Sequence, residues 1–300
     1  MTSPSNRPVA LLTGTSAGIG KAAARMLVAQ GWQVIGTGRD AERSAAAVNE
    51  ISAACCNGGS FTLLRGDFTL MADVQRVADE VKALTPRLDV LINNAGGVRD
   101  RLITTTEGTE ATFAANHLAP FLLTRELLPL LKSTAASQPA STVRVIAVSS
   151  SAHRHSQGFN FADLQSFDTG HAVAAYCQAK LGNILFTREL ARRAMPDGIV
   201  AQVMHPGVVA SNFASHGDQA MQTHMASALT VSPDEPAETM VWLATDPAGG
   251  HNPGRYFYRK AEEVPGDAAL DDAAAARLWS ESEALLKSLG YWVGTHNQRA

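Results

Sequence analysis

The stretch TGTSAGIG, residues 13–20, decides how this chain reads. It follows the short apolar run Val9–Thr13. It leads into Ala17–Gln30, where Ile19, Ala23, Met26 and Leu27 share one face at helical spacing. A glycine-rich turn between a first strand and a first helix lets the backbone approach a pyrophosphate. The helix N-terminus adds free N–H groups and partial positive charge. Gly14, Ser16, Gly18, Ile19 and Gly20 are therefore candidate phosphate contacts. The spacing is Gly14-x3-Gly18-x-Gly20, not GxGxxG, so taken alone the loop reads equally well as a plain strand–helix turn.

The rest of the chain weighs in favour of the nucleotide. Short apolar runs recur at Gln33–Thr37, Phe61–Leu64, Val90–Ile92, Val143–Val148 and Val200–Met204, with a weaker one at Arg255–Tyr258. Between and after them lie helical stretches at Ala41–Ala54, Ala72–Leu84, Thr112–Leu131 (with Pro129 near its end), Ala174–Arg193 and Ala276–Leu289. Alternation of this kind predicts βαβ units. Strands that are apolar throughout predict a sheet covered on both faces. The expected fold is α/β: a doubly wound parallel sheet of Rossmann type in three α/β/α layers. It is expected to form a single domain over residues 1–300, with a substrate lid at 211–231 and a C-terminal helical extension at 260–300. Phe213, Met221 and Met225 fall in the expected lid.

Bulk properties exclude several classes. A net charge of −3 offers no basic surface for nucleic acid or anionic membrane. The three cysteines, Cys55, Cys56 and Cys177, are too few and too unevenly placed for a disulfide framework, which points to a reducing compartment. Residues 1–8 carry no apolar signal-peptide core, and no window reaches the ~18 apolar residues of a membrane span. The expected location is cytoplasmic.

The second strand ends Gly36-Thr37-Gly38-Arg39-Asp40. NAD sites place a carboxylate about 20 residues past the glycines, on the ribose 2′-hydroxyl. Here a glycine leaves room and Arg39 suits a 2′-phosphate. Asp40, the rival, reads better as the N-cap of the following helix. NADP(H) is expected over NAD(H).

Tyr176 and Lys180 stand at i and i+4, on one helix face. A free tyrosine titrates near ~10, and a neighbouring ammonium favours the phenolate. Tyr176 is thus a candidate proton donor and acceptor. The rival reading is an ordinary surface Tyr–Lys pair. The run Ser149-Ser150-Ser151 closes the fifth strand, and spacing alone does not choose among its hydroxyls.

Taken together, the glycine loop, Asp67, Asn93-Asn94-Ala95-Gly96, Asn116, the serine run, Tyr176-x3-Lys180 and Pro206-Gly207 resemble the short-chain dehydrogenase/reductase family over nearly the whole length. NHLAPFLLT (116–124), HPGVVAS (205–211) and LWSESEALL (278–286) are similar to its retinol-dehydrogenase-like branch. The membrane anchor of many branch members has no counterpart here, so retinol is not carried over as substrate.

The resemblance implies a role for each position. Ser150 would bind the substrate oxygen, and Tyr176 would move the proton. Lys180 would lower the tyrosine's pKa and hold the nicotinamide ribose. Asn116 would fix a water linking Lys180 to solvent. Asp67 and Phe68 would flank adenine, with Asn94 and Gly96 along the adenosine ribose. Pro206, Gly207 and Val209 would meet the nicotinamide end. Family members pair through the helices that carry Asn116 and Tyr176. A homodimer or homotetramer is therefore expected, unless the C-terminal extension covers those helices.

The implied activity is NADP(H)-dependent interconversion of a small-molecule carbonyl and alcohol. The alternatives are reduction of a carbon–carbon double bond and a non-enzymatic NADP-binding sensor or scaffold. His153-Arg154-His155 reads as surface or loop histidines, and no metal is expected. Arg188, Arg192 and Arg193 read as a solvated helix end.

Overall fold

The protein is described here by a computed structural model covering residues 7–210, 222–223 and 229–291. Eight strands form one sheet among these residues: β1 (Val9–Leu12), β2 (Gln33–Gly38), β3 (Ser60–Arg65), β4 (Val90–Asn93), β5 (Val143–Val148), β6 (Ile199–Met204), β7 (Tyr256–Tyr258) and β8 (Ala261–Glu263). Their order is β3-β2-β1-β4-β5-β6-β7-β8. The first seven run parallel, and β8 pairs antiparallel to β7. The expected doubly wound parallel sheet is present, with one short antiparallel strand added at its edge. Ala261-Glu262-Glu263 is short, charged and largely exposed, so it carries no apolar strand signal.

The helices are α1 (Gly18–Ala29), α2 (Ala41–Ala53), α3 (Met71–Leu84), α4 (Ala111–Phe113), α5 (Ala119–Ala135), α6 (Ala172–Ala194), α7 (Asp234–Thr245) and α8 (Asp272–Ser288). One face of the sheet is covered by α1, α2 and α7, around Leu12, Leu27, Ile51, Ile92 and Leu243. The other is covered by α3, α5 and α6, around Leu11, Val77, Phe121 and Leu185, and Trp279 of α8 joins the same core from outside. Strands β1, β4, β5 and β6 are buried at every position, as their largely apolar runs require, and Asn93, Arg144 and Gln202 are buried with them. Strand order reverses beside β1, which lies between β2 and β4. A doubly wound sheet opens its ligand crevice at the carboxyl ends of the strands at such a point.

Two helical expectations need revision. The helix predicted to stop at Leu131 continues through Pro129 to Ala135, because Leu127 and Leu131 are buried on either side of the proline. Between α4 and α5, residues Ala114–Leu118 form a π turn, which brings Asn116 to the sheet's carboxyl edge.

Helix α8 lies across α5 and α6. Trp279 is 1% exposed. Its ring meets Phe121 and Phe186 at centroid distances of 5.0 and 5.9 Å. Arg125 and Arg193 stack over it at 5.3 and 4.5 Å. Arg188 pairs with Asp272 at 2.6 Å and Arg125 with Glu283 at 2.8 Å. His117, held by burial at a pKa of about 3, shares a 2.9 Å hydrogen bond with Ser282. Of the three arginines expected to be merely solvated, Arg188 and Arg193 thus latch this helix down, while Arg192 pairs with Glu189 of its own helix at 2.7 Å. Helix α8 thus packs against α5 and α6, the helices through which copies were expected to pair. The expected lid, 211–231, falls largely outside the described residues. No helix of the described residues is long and apolar enough to cross a membrane.

Candidate active site

A cavity of about 320 Å³ opens at the carboxyl ends of β1, β2, β4 and β5. The glycine loop forms one wall. Ala17, the N-cap of α1, has no side-chain oxygen and makes no capping bond, so the first-turn N–H groups stay available to an anion. A Cβ on Gly20 would collide with the Gly14 carbonyl and the Asn94 amide, so glycine is required there. The loop is bolted to the β4 turn. Asn94 donates from Nδ2 to the Thr13 carbonyl at 2.9 Å, and Thr13 Oγ1 accepts from the N–H groups of Asn94 and Ala95 at 3.0 and 2.9 Å.

The far end of the cavity is cationic. Arg39, Arg43 and Arg99 all line it, beside Asp67 and Phe68. Arg39 Nη1 stands 3.8 Å from Asp67 Oδ2, and both side chains are partly exposed. Asp67 also caps its own turn, accepting from Thr69 N and Oγ1 at 3.0 and 2.8 Å. Arg99 is held below the ordinary guanidinium range, first by burial and then by the neighbouring charge of Arg39. Asp40 caps α2, accepting from Arg43 N at 2.9 Å, as the sequence suggested. Arg43 and Arg99 went unnoticed in the sequence. Arg99 stands only three residues past Gly96, on the loop leaving the switch point, and that placement is its one legible signal.

The side chains expected to be catalytic gather at the closed end. Tyr176 and Lys180, on α6, are 5% and 4% exposed. Tyr176 shares a hydrogen bond with Ser150. Burial pushes its hydroxyl above the ordinary tyrosine value, and the Ser150 bond opposes this. Lys180 Nζ lies 5.5 Å from the centre of the Tyr176 ring and donates to the Val148 carbonyl at 3.0 Å. Burial lowers its pKa to about 7. The expected depression of Tyr176 by a lysine charge is therefore not seen in this arrangement. Both groups are drawn from water, and desolvation favours their neutral forms.

Asn116 Nδ2 donates to the carbonyls of Gly97 and Thr112, both at 2.9 Å, and Oδ1 accepts from Gly97 N at 3.1 Å. A Cβ on Gly96 would run into Asn116 Oδ1 and reach the neighbourhood of Lys180 Nζ, so these three residues share one small volume.

Fourteen residues expected from the sequence line this cavity: Gly14, Ser16, Gly18, Ile19, Gly20, Arg39, Asp67, Phe68, Asn94, Gly96, Asn116, Tyr176, Lys180 and Pro206. Ser150, Gly207 and Val209 do not. Ser150 reaches the site through Tyr176. Val209 is buried in a bridge with Val231. Ser149, by contrast, does line the cavity, although its hydroxyl is turned to the backbone of α6. His153, expected at the surface, is 1% exposed and bonded at both ring nitrogens.

Residues 8–222 match the family model described as short chain dehydrogenase. Mouse retinol dehydrogenase 14 is 35% identical over 290 residues, covering 92% of this chain and 85% of that protein. Human retinol dehydrogenase 12 is 36% identical over 282 residues, covering 93% and 86%. Among solved structures, the NADP active-site complex of Pseudomonas aeruginosa RhlG superposes with a TM-score of 0.67 at 27% identity, covering 89% of this chain and 98% of that one.

Proposed function

The chain belongs to the short-chain dehydrogenase family, and from that premise we propose that it interconverts a carbonyl and an alcohol with NADP(H). The observation that carries this reading is the buried Tyr176 hydroxyl. It is bonded to Ser150 beside Lys180, at the closed end of a cavity whose outer walls are a glycine loop and an arginine cluster.

The residues present fit the cofactor. The cradle at Gly20 and the uncapped N-terminus of α1 suit a pyrophosphate against Gly14, Ser16, Gly18 and Ile19. Arg39, with Arg99 beside it, suits a 2′-phosphate, since an anion between them relieves their mutual repulsion. Asp67 and Phe68 would flank the adenine, and Asn94 and Gly96 the adenosine ribose. Pro206, Gly207 and Val209 would bound the nicotinamide end. NADP(H), when bound, supplies or accepts the hydride.

The chain's own residues do the rest. Tyr176 passes its hydroxyl proton to the carbonyl oxygen in reduction and takes one from the alcohol in oxidation. Ser150 donates to the same oxygen as charge develops on it. Lys180 supplies positive charge next to the phenol and holds the nicotinamide ribose. Asn116 anchors the proton route past Gly96 toward solvent.

The test is an NADPH-consumption screen over aldehydes, ketones and quinones, repeated with NADH and with product analysis. An alcohol product, lost on Tyr176→Phe while NADPH still binds, is the expected result. A saturated ketone from an enone would overturn the carbonyl assignment.

A further inference from the structure

His153 forms a bridge that the site just described does not use. Ser150 sits in extended backbone (φ −156°, ψ 153°) immediately before the 3₁₀ turn Ser151–His155. Its carbonyl accepts from His153 Nδ1 at 2.7 Å and from His153 N at 3.2 Å. The other ring nitrogen, Nε2, accepts from the backbone N–H of Gly266 at 2.9 Å. A backbone N–H only donates, so Nε2 is bare and the proton sits on Nδ1. The two partners thus select one neutral tautomer. Tyr256 packs edge-on against the ring, at 5.2 Å between centroids.

We infer that His153 is a positioning residue: as a neutral Nδ1–H imidazole it ties the backbone of Ser150 to Gly266, and so aims the Ser150 hydroxyl at Tyr176. The inference rests on the role proposed above for Ser150. Gly266 follows β8, outside the stretch 8–222 that the family model matches, so a late segment of the chain holds an early one in place.

Protonation breaks the bridge, because an N–H at Nε2 would face the N–H of Gly266. The groups around the ring make that state costly. Arg154 adjoins it on its own turn, His205 faces it from the end of β6, and Tyr256 from β7. Glu263 of β8 is the one carboxylate facing it among the described residues, and it already holds Arg154 at 2.8 Å and His205 at 2.9 Å. Burial and these neighbours keep the His153 imidazole below its ordinary pKa.

The experiment compares Ser150→Ala, His153→Ala and His153→Gln in turnover against pH. The probe is whichever of decanal or benzaldehyde the wild type reduces. A glutamine amide offers a similar donor–acceptor pair and does not titrate. His153→Ala is expected to lower kcat by roughly 10- to 100-fold, the loss of one aligned interaction, with NADPH affinity unchanged. His153→Gln is expected to keep most of the turnover and to flatten the acid limb of the kcat profile. Long-range ¹H–¹⁵N NMR of the wild type, which needs no substrate, is expected to show His153 as the Nδ1–H tautomer.

Wild-type kcat in a folded His153→Ala protein, an unchanged acid limb in His153→Gln, or an Nε2–H tautomer would overturn the inference. If His153→Ala does not fold, the glutamine variant and the tautomer decide. If Ser150→Ala keeps full turnover, it is the role proposed for Ser150 that fails; in that case, or if the wild type reduces neither aldehyde, the tautomer alone judges the bridge.

Discussion

The Ser149 hydroxyl donates to the backbone carbonyl of Lys180 at 2.7 Å, while the Lys180 ammonium reaches back to the carbonyl of Val148 at 3.0 Å. The end of strand β5 and helix α6 are thereby pinned to each other beside Tyr176. Adjacent serines face opposite ways in extended backbone. Ser149 is turned into the fold at 2% exposure, and Ser150 is turned to Tyr176.

These two hydroxyls should separate cleanly in mutagenesis. Ser149→Ala removes one buried hydrogen bond and is expected to lower stability by about 1 kcal/mol with little change in kcat. Ser150→Ala is expected to lower kcat by about 100-fold or more, the loss of a donor to developing charge, with near-normal stability. Steady-state kinetics and thermal melts on both variants check this. Equal kinetic losses in the two would remove the distinction.

The proposed preference for NADP(H) rests on the arginine cluster. Arg39→Ala is expected to weaken NADPH by roughly 10- to 100-fold, the worth of a charge-assisted bond, and to leave NADH nearly unchanged. Arg99→Gln is expected to shift the same ratio in the same direction. Fluorescence titration with each nucleotide measures it. A matching loss for NADH would show that Arg39 serves the fold or the shared part of the cofactor.

Lys180 is a buried cation with a pKa lowered to about 7, against an ordinary 10.5. Below pH 7 it is charged in both folded and unfolded chains, and the folded state bears the whole cost of burying it. That cost falls away as pH rises from about 7 toward 10.5, where the unfolded chain still holds the extra proton. Lys180→Met is therefore expected to abolish turnover yet raise Tm by about 2–4 °C per kcal/mol relieved at pH 6.5. The gain should shrink by pH 9.5. Calorimetry without added nucleotide reads this directly, and a lower Tm at pH 6.5 would contradict it.

Trp279 anchors α8 against Phe121 and Phe186. Trp279→Ala is expected to cost about 3–5 kcal/mol, a drop on the order of 10 °C in Tm. It should also free the α5 and α6 faces that α8 covers. Light scattering at several concentrations shows whether the exposed faces then pair copies of the chain.

Much of this was readable in one dimension. The apolar runs and the glycine loop announced the sheet and its crevice, and the spacing of Tyr176 and Lys180 announced two side chains that line the same cavity. What stayed hidden depends on contacts remote in sequence or on elements without an apolar signature. Strand β8 is three polar-leaning residues. Helix α7 has a weak apolar pattern among acidic residues and went unpredicted. His153 is reached by Gly266 from 113 positions away, so its local sequence reads as a loop histidine. The resemblance picked Ser150 out of the serine run, but only packing reveals what Ser149 does.

The π turn at Ala114–Leu118 has a last consequence, one of phase. Each residue in a helix advances the chain by about 100°. The extra residue lets Asn116 bond backward to Thr112 and across to Gly97, and also sets the rotation at which α5 emerges. Phe121, Leu122 and Leu127 meet the core only at that rotation. Deleting one residue here would turn the whole of α5 by about a quarter of a revolution, carrying its apolar face off the sheet. The placement of Asn116 and the alignment of a 17-residue helix are thus fixed by the same single-residue offset.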